Sequence, residues 1–269
     1  MPIAALPPPA LRDQLKATLL EAARTAGAVL TDCARAGFRV EYKDTVNLVT
    51  DADRRAEQAV VDAIRKAWPD HQILAEERGM ERGADAAYRW VIDPLDGTTN
   101  FAHGFPAYCV SIGLEYRGEV ILGAVLDPTR DELFVGEAGR GAFLNGKPLR
   151  VSATPTVNAA LLVTGFAYDI RESPENNLDH FSRFALRAQG VRRTGAAALD
   201  LCYVAAGRFD GFWELKLQPW DTAAGLVILR EAGGRATDFK GEPYSIYEPS
   251  IVATNGLIHE AMLKILAKA

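Results

Sequence analysis

Asp93-Pro94-Leu95-Asp96-Gly97-Thr98-Thr99-Asn100-Phe101 follows directly on the mostly apolar run 88–92. A strand-like segment therefore delivers two carboxylates three residues apart, and the Gly-Thr-Thr that comes next reads as the start of a helix. Pro94 fixes φ and has no N–H, so the turn at Asp93 is stiff. Around such a turn both carboxylates and the Leu95 carbonyl can come to one side. Hard oxygen ligands beside exposed backbone N–H groups suit Mg²⁺ ions that hold a phosphate.

Other Asp-rich motifs fail on spacing. The Asp-x-Asp-x-Thr of haloacid-dehalogenase-type phosphatases needs a two-residue step, and an EF-hand loop needs further ligands and a closing Glu. A bare Asp-Gly-Thr is ordinarily an Asx turn. The preceding strand and the whole nine-residue string favour metal and phosphate instead.

The 269 residues carry a net charge of −5, with 48% apolar, 24% charged and 9% aromatic residues. This is the composition of a globular protein with an ample core, and it argues against a nucleic-acid binder, which would be basic. Cys33, Cys109 and Cys202 are scattered and odd in number. They are expected to be buried free thiols, with neither a disulfide framework nor a zinc site. The start MPIAALPPPA lacks the basic and apolar regions of a signal peptide, and no stretch approaches about 18 apolar residues. The expectation is a cytoplasmic protein with no membrane span.

Leu11, Leu15, Leu19, Ala22, Ala26, Leu30 and Cys33 recur at helical steps, with Gly37 beyond them. A second helix is expected from about Asp53, with Ala56, Val60, Ile64 and Ala67 on one face and Pro69 as its stop. Between the two lies the polar stretch 43–53, whose Thr50-Asp51-Ala52-Asp53 is good N-cap chemistry and by itself explains one of the two aspartates. Strands are expected at Ile73–Ala75, Trp90–Ile92, Cys109–Leu114 and Val120–Leu126. Asn145-Gly146 signals a hairpin between Ala142–Leu144 and Leu149–Val151, so this region reads as a mainly antiparallel sheet.

Beyond about Pro155 the pattern becomes layered α/β. Strands are expected at Leu161–Phe166, Phe209–Glu214 and Ile251–Thr254. They alternate with helices at Leu178–Ala188, Ala196–Ala206, Asp221–Ala232 and Ile258–Lys268. The whole is expected to form a single domain over 1–269, with halves at 8–152 and 153–269.

Glu76-Glu77 after an apolar segment, Asp221 after Trp220 at a helix start, and Lys43 are each unremarkable alone. Together with Leu48-Val49-Thr50 and Asp53, the string from Trp90 to Phe101, Gly195-Ala196-Ala197, and Glu214 through Trp220-Asp221, they resemble the inositol monophosphatase family over nearly all of the chain. The central string, and the late Trp-Asp before an apolar helix ending Glu231-Ala232-Gly233-Gly234, match that family's two signatures in order and separation.

The resemblance implies a five-layer αβαβα sandwich of the inositol monophosphatase/fructose-1,6-bisphosphatase type. It implies Glu76, Asp93, the Leu95 carbonyl, Asp96 and Asp221 as ligands of two or three Mg²⁺, with Asp93 bridging two of them. Thr98 would orient the attacking water with Glu76, and Asp53 would act through metal-bound water. Asp96, Gly97, Thr98, Thr99, Gly195, Ala197, Glu214 and Asp221 would contact the substrate, Glu214 through inositol hydroxyls. Ala196 stands where such members often carry threonine.

The expected activity is hydrolysis of myo-inositol-1-phosphate or a similar polyol phosphate, with sensitivity to lithium, in a homodimer. The alternatives are a histidinol-phosphate or fructose-1,6-bisphosphate phosphatase of the same fold, or a transcription-associated binding protein. His103 is not expected to act as a base, because metal-bound water supplies the nucleophile. Arg192 and Arg193 are expected to be exposed packing or dimer-contact residues rather than a second anion site.

Overall fold

The computed structural model describes residues 6–42 and 48–267. The expectations for Lys43 and its neighbours to residue 47, and for Lys268, lie outside the described residues. Helix α1 (Pro9–Ala36) and α2 (Asp51–Ala67) flank the short pair β1 (Val40–Tyr42) and β2 (Leu48–Thr50). An eight-stranded sheet follows, from β3 (His71–Ala75), β4 (Gly79–Glu81), β5 (Asp85–Asp96), β6 (Cys109–Tyr116), β7 (Glu119–Asp127), β8 (Glu132–Glu137), β9 (Gly141–Leu144) and β10 (Lys147–Pro148). Helix α3 (Thr98–Ala102) hangs on the end of β5.

The second sheet has five strands: β11 (Leu161–Thr164), β12 (Gly190–Arg192), β13 (Gly211–Leu215), β14 (Arg235–Thr237) and β15 (Ser250–Thr254). Helices α4 (Leu178–Ala185), α5 (Ala197–Ala205), α6 (Pro219–Glu231) and α7 (His259–Leu266) alternate with them. The eight-stranded sheet runs β10-β9-β8-β7-β6-β5-β3-β4 and is antiparallel except between β3 and β5. The other runs β12-β11-β13-β15-β14 and is mixed.

Helices α1 and α2 cover one face of the large sheet, α5 and α6 fill the space between the sheets, and α4 and α7 cover the far face of the small sheet. That is the five-layer αβαβα arrangement. Three apolar clusters glue the layers: one under α1 and α2, one around α5 and α6, and one around Phe184 and Trp213 on the outer face. Strands β6 and β7 are buried nearly throughout, since helices cover both faces.

A glycine track sets how closely α6 approaches. A Cβ on Gly113, Gly123 or Gly136, side by side on β6, β7 and β8, would lie 2.7 Å from Ala223 Cβ, 2.6 Å from Ala224 O and 2.7 Å from Ile228 Cα respectively. Only glycine permits this contact, and it seats the start of α6 at the site.

Several boundaries differ from expectation for local reasons. Helix α2 begins at Asp51 because Thr50 is its N-cap, its hydroxyl 3.1 Å from the Ala52 N–H, and Asp53 closes the capping box. Strand β5 continues through Asp96, well past Ile92. The hairpin's second strand is Lys147–Pro148, not Leu149–Val151. With φ of 48° and 78° at Asn145 and Gly146, the two-residue turn forces Lys147 opposite Leu144. Strand β8, at Glu132–Glu137, lies outside the expected strands.

Candidate active site

Strand β5 carries the two central aspartates, and an irregularity in its pairing decides where they point. Asp93 lies opposite Ser111 and Asp96 opposite Cys109, so three steps on β5 match two on β6. Residues three apart on a regular strand face opposite sides. The extra residue, at Pro94-Leu95, turns both carboxylates to the same face. The Leu95 N–H donates to Asp93 Oδ1 at 3.0 Å, so the Asx-turn bond is present within this arrangement.

Glu76 reaches the same place from β3. Ala75 pairs with Ile92 in the parallel ladder, and the Glu76 N–H donates to the Ile92 carbonyl at 3.1 Å, leaving Glu76 beside Asp93. Asp221 arrives on the first turn of α6, its Oδ2 accepting the Gln218 N–H at 2.6 Å. Asp96 Oδ2 accepts the Ala198 N–H at 2.7 Å, at the start of α5.

Burial, then Glu76, Asp96 and Asp221, push the Asp93 carboxyl well above the usual range. Burial raises Asp96 to about 6 despite the Ala198 N–H, and burial with Asp96 and Glu76 raises Asp221. Like charges face one another at the bottom of the cleft.

Asp53 and Thr98 stand behind this cluster. Asp53 Oδ2 accepts from the Thr50 N–H (2.7 Å) and hydroxyl (2.6 Å), which is the capping role. Its Oδ1 lies 3.1 Å from the Thr98 hydroxyl, which is also 3.0 Å from the Leu95 carbonyl. One hydroxyl proton serves one of these acceptors at a time. Burial raises the Asp53 carboxyl.

The cleft has a volume of about 410 Å³ and runs from Glu76, Asp96, Gly97 and Asp221 to Gly195, Ala197 and Glu214. The first-turn N–H groups of α3, which begins at Thr98 after Gly97, have no partner within that helix. Asn100 ties the motif to the opposite wall, Nδ2 donating to the carbonyls of Ala107 (2.6 Å) and Thr194 (2.9 Å). Glu214, buried on β13, has its carboxyl raised by burial and by Asp200, Asp221 and Asp96. Its room comes from Gly165, where a Cβ would lie 2.2 Å from Glu214 Oε1.

Among the described residues, no three His, Cys, Asp or Glu side chains are already gathered tightly enough to cage an ion. Mg²⁺ does not need such a cage: it takes one or two carboxylates per ion, keeps several waters, and shares substrate phosphate oxygens. The donor set here is all hard oxygen, and the strongest electrostatic influences on Asp93 are carboxylates. The residues present fit Mg²⁺.

The structure also brings in residues outside the expected set. Tyr168, Arg193, Asp200 and Lys216 line the cleft. Arg193 is exposed, as expected, yet forms part of the cleft wall, its Nη1 2.8 Å from where a Gly195 Cβ would be. Nothing in local spacing marks Tyr168 or Lys216, because the loop bearing one folds onto the strand end bearing the other. His103 is exposed at the end of α3 and does not line the cleft. A larger groove of about 790 Å³, between α1 and β7–β9, shares no residue with this site, and its single carboxylate is Asp131.

Cys33, Cys109 and Cys202 are buried free thiols. Among the described residues no helix is long and apolar enough to cross a membrane.

The match to known proteins spans the same elements. The model of the inositol monophosphatase family matches residues 11–269. An inositol-1-monophosphatase of Synechocystis sp. is 48% identical over 221 residues, 82% of this chain and 77% of that protein. The Nus factor SuhB of Pseudomonas aeruginosa is 46% identical over 252 residues, 91% of this chain and 92% of that one. The solved structure of inositol monophosphatase from Anabaena (Nostoc) sp. PCC 7120 superposes with a TM-score of 0.87 at 46% identity, covering 96% of each chain. With the family model matched over residues 11–269, relatives at 46–48% identity and a shared layered fold, the chain belongs to the inositol monophosphatase family.

Proposed function

We propose that this chain hydrolyses myo-inositol-1-phosphate, or a similar polyol phosphate, with Mg²⁺ held by Glu76, Asp93, the Leu95 carbonyl, Asp96 and Asp221. The observation that carries the reading is one continuous cleft joining a cluster of mutually repelling carboxylates to the buried Glu214. Bound divalent cations turn such a cluster into an anion site, lower the pKa of a coordinated water, and stabilise charge on the leaving oxygen.

The protein's own groups supply the rest. Asp53 accepts a hydrogen bond from the Thr98 hydroxyl, which leaves the Thr98 oxygen free to accept a hydrogen bond from the attacking water, with Glu76 as the second acceptor. The N–H groups of Gly97, Thr98 and Thr99 hold phosphate oxygens as their charge grows. Glu214 accepts hydrogen bonds from ring hydroxyls, while Gly195 and Ala197 let the ring come close. Asp221 and Asp96 orient the ester oxygen beside them.

The same reading makes the chain a single catalytic domain working in the cytoplasm as a homodimer, with two or three Mg²⁺ and inhibition by lithium. The test is turnover on a panel of inositol-1-phosphate, histidinol phosphate, fructose-1,6-bisphosphate and phosphoadenosine phosphate. Preference for any but the first overturns the role of Glu214. Asp93→Asn removes a charge from the centre of the cluster and is expected to lower kcat at least about a hundredfold; undiminished turnover in that variant sinks the site assignment. A folded protein with no phosphatase turnover on any member of the panel would favour the alternative, a transcription-associated binding protein.

A further inference from the structure

Tyr168 lies on the segment 165–177 that joins β11 to α4, a stretch without helix or strand that is nevertheless braced throughout. Asn177, at φ 67°, closes its two ends: Nδ2 donates to Thr164 Oγ1 at 2.9 Å and to the Gly165 carbonyl at 2.7 Å. Asn177 Oδ1 accepts from Trp213 Nε1 at 2.8 Å, which anchors the segment to the strand that carries Glu214. Its middle is latched by Lys216, whose Nζ donates to Asp169 Oδ2 at 2.6 Å and Ser173 Oγ at 2.7 Å. Lys216 is itself held by its N–H to the Pro249 carbonyl at 2.6 Å.

The brace presents Tyr168 to the cleft in a particular way. The residue is 49% exposed, yet its hydroxyl is desolvated, meets the Thr99 side chain and lies in the field of Glu76, Asp96 and Asp93. An amphipathic side chain that stood at the surface by default would point its polar tip to water. Here the tip points inward, next to the phosphate-binding turn, and the ring walls the cleft. No step of the hydrolysis described above uses it.

We propose that Tyr168 is a specificity-determining residue: its hydroxyl hydrogen-bonds a hydroxyl of the substrate alcohol next to the ester carbon, and its ring excludes bulkier or apolar leaving groups. This rests on the polyol-phosphate reading of the site. A pocket that offers a polar partner to a substrate hydroxyl discriminates against analogues lacking one, because the partner is then left buried and unpaired.

The experiment compares wild type, Tyr168→Phe and Tyr168→Ala on inositol-1-phosphate and on p-nitrophenyl phosphate, an aryl ester with no alcohol hydroxyl. Tyr168→Phe is expected to raise KM for inositol-1-phosphate roughly fivefold to tenfold, the weight of one neutral hydrogen bond, with kcat within about twofold. On p-nitrophenyl phosphate, against which the wild-type hydroxyl is left unpaired, Tyr168→Phe is expected to cause no loss and to lower KM modestly, while Tyr168→Ala, with the wall removed, lowers KM for the aryl ester further. An unchanged KM for inositol-1-phosphate in Tyr168→Phe overturns the proposal. So does an equal loss on both substrates, which would place the hydroxyl on the phosphate or give it a merely structural role. Wild-type protein inactive on inositol-1-phosphate sinks the polyol reading and this inference with it. Wild-type activity with a neutral Tyr168→Phe sinks the inference alone.

Discussion

Replacing Gly165 with alanine tests how the specificity wall is built. The new Cβ would lie 2.2 Å from Glu214 Oε1 and 2.4 Å from both Cδ and Oε2. Ordinary contact begins near 3.4 Å, so the carboxyl must retreat by about 1 Å or more. Gly165 does not have a left-handed φ, so backbone strain contributes nothing, and the three atoms nearest the new Cβ all belong to the Glu214 carboxyl. A displacement of about 1 Å in a positioning group can cost about a hundredfold in rate.

The expected result is a fall of about 30- to 100-fold in kcat/KM on inositol-1-phosphate, equivalent to roughly 2–3 kcal/mol, carried mostly by KM. On p-nitrophenyl phosphate the loss should be small. Stability should drop by about 1–2 kcal/mol from the overpacking, which a melting curve reads directly. In a Glu214→Ala background the added methyl meets no carboxyl, so the catalytic effect of Gly165→Ala should vanish. An unchanged KM for inositol-1-phosphate in a folded Gly165→Ala variant would refute the placement of Glu214 against the substrate. Equal effects of Gly165→Ala with and without Glu214 would refute the mechanism.

Two further outcomes concern the frame around the site. A methyl at Gly123 would sit 2.6 Å from the Ala224 carbonyl, so Gly123→Ala should push α6 off the sheet. About 1–3 kcal/mol of stability and weaker Mg²⁺ binding through Asp221 are expected, read by denaturation and by metal titration of turnover; unaltered Mg²⁺ dependence would separate the glycine track from the site. His259, fully buried between the Thr237 and Thr254 hydroxyls, has its pKa pushed down to about 4 by burial and then by Arg235. The folded state therefore resists a proton that the unfolded chain takes up near 6.5, so this group leaves stability intact above that pH and erodes it from about 6.5 down to about 4. The loss is on the order of 3 kcal/mol, and His259→Gln should flatten that part of the stability–pH curve relative to wild type. Identical curves would place the imidazole charge elsewhere.

Much of the frame is legible along the chain because its causes are local. The three- and four-residue recurrence from Leu11 to Cys33 is a helix whatever it packs against, and Thr50 with Asp53 caps α2 through bonds within four residues. Asn145-Gly146 makes a hairpin by its own dihedral preferences, even though the strand it starts is only two residues long. Strand β8 is different. Its residues become a strand because β7 and β9 pair with them on either side.

The proposed metal ligands divide along the same line. Asp93, Leu95 and Asp96 are neighbours in a distinctive string, and Glu76 and Asp221 are recognisable by family resemblance. By its own pattern the chain thus marked the central string and its turn, and the resemblance added the two distant carboxylates of the proposed site. Tertiary structure alone decided how they face one another. The slip in register between β5 and β6 puts Asp93 and Asp96 on one face, and the glycine track lets α6 bring Asp221 against them. It also decided the proposed specificity wall, where Gly165 meets Glu214, Tyr168 meets Thr99 and Lys216 meets Asp169 across long stretches of chain. Backbone preference acts over a few residues, whereas close contact and the repulsion of buried charges depend only on distance in space, and that distance exists only once the layers have stacked.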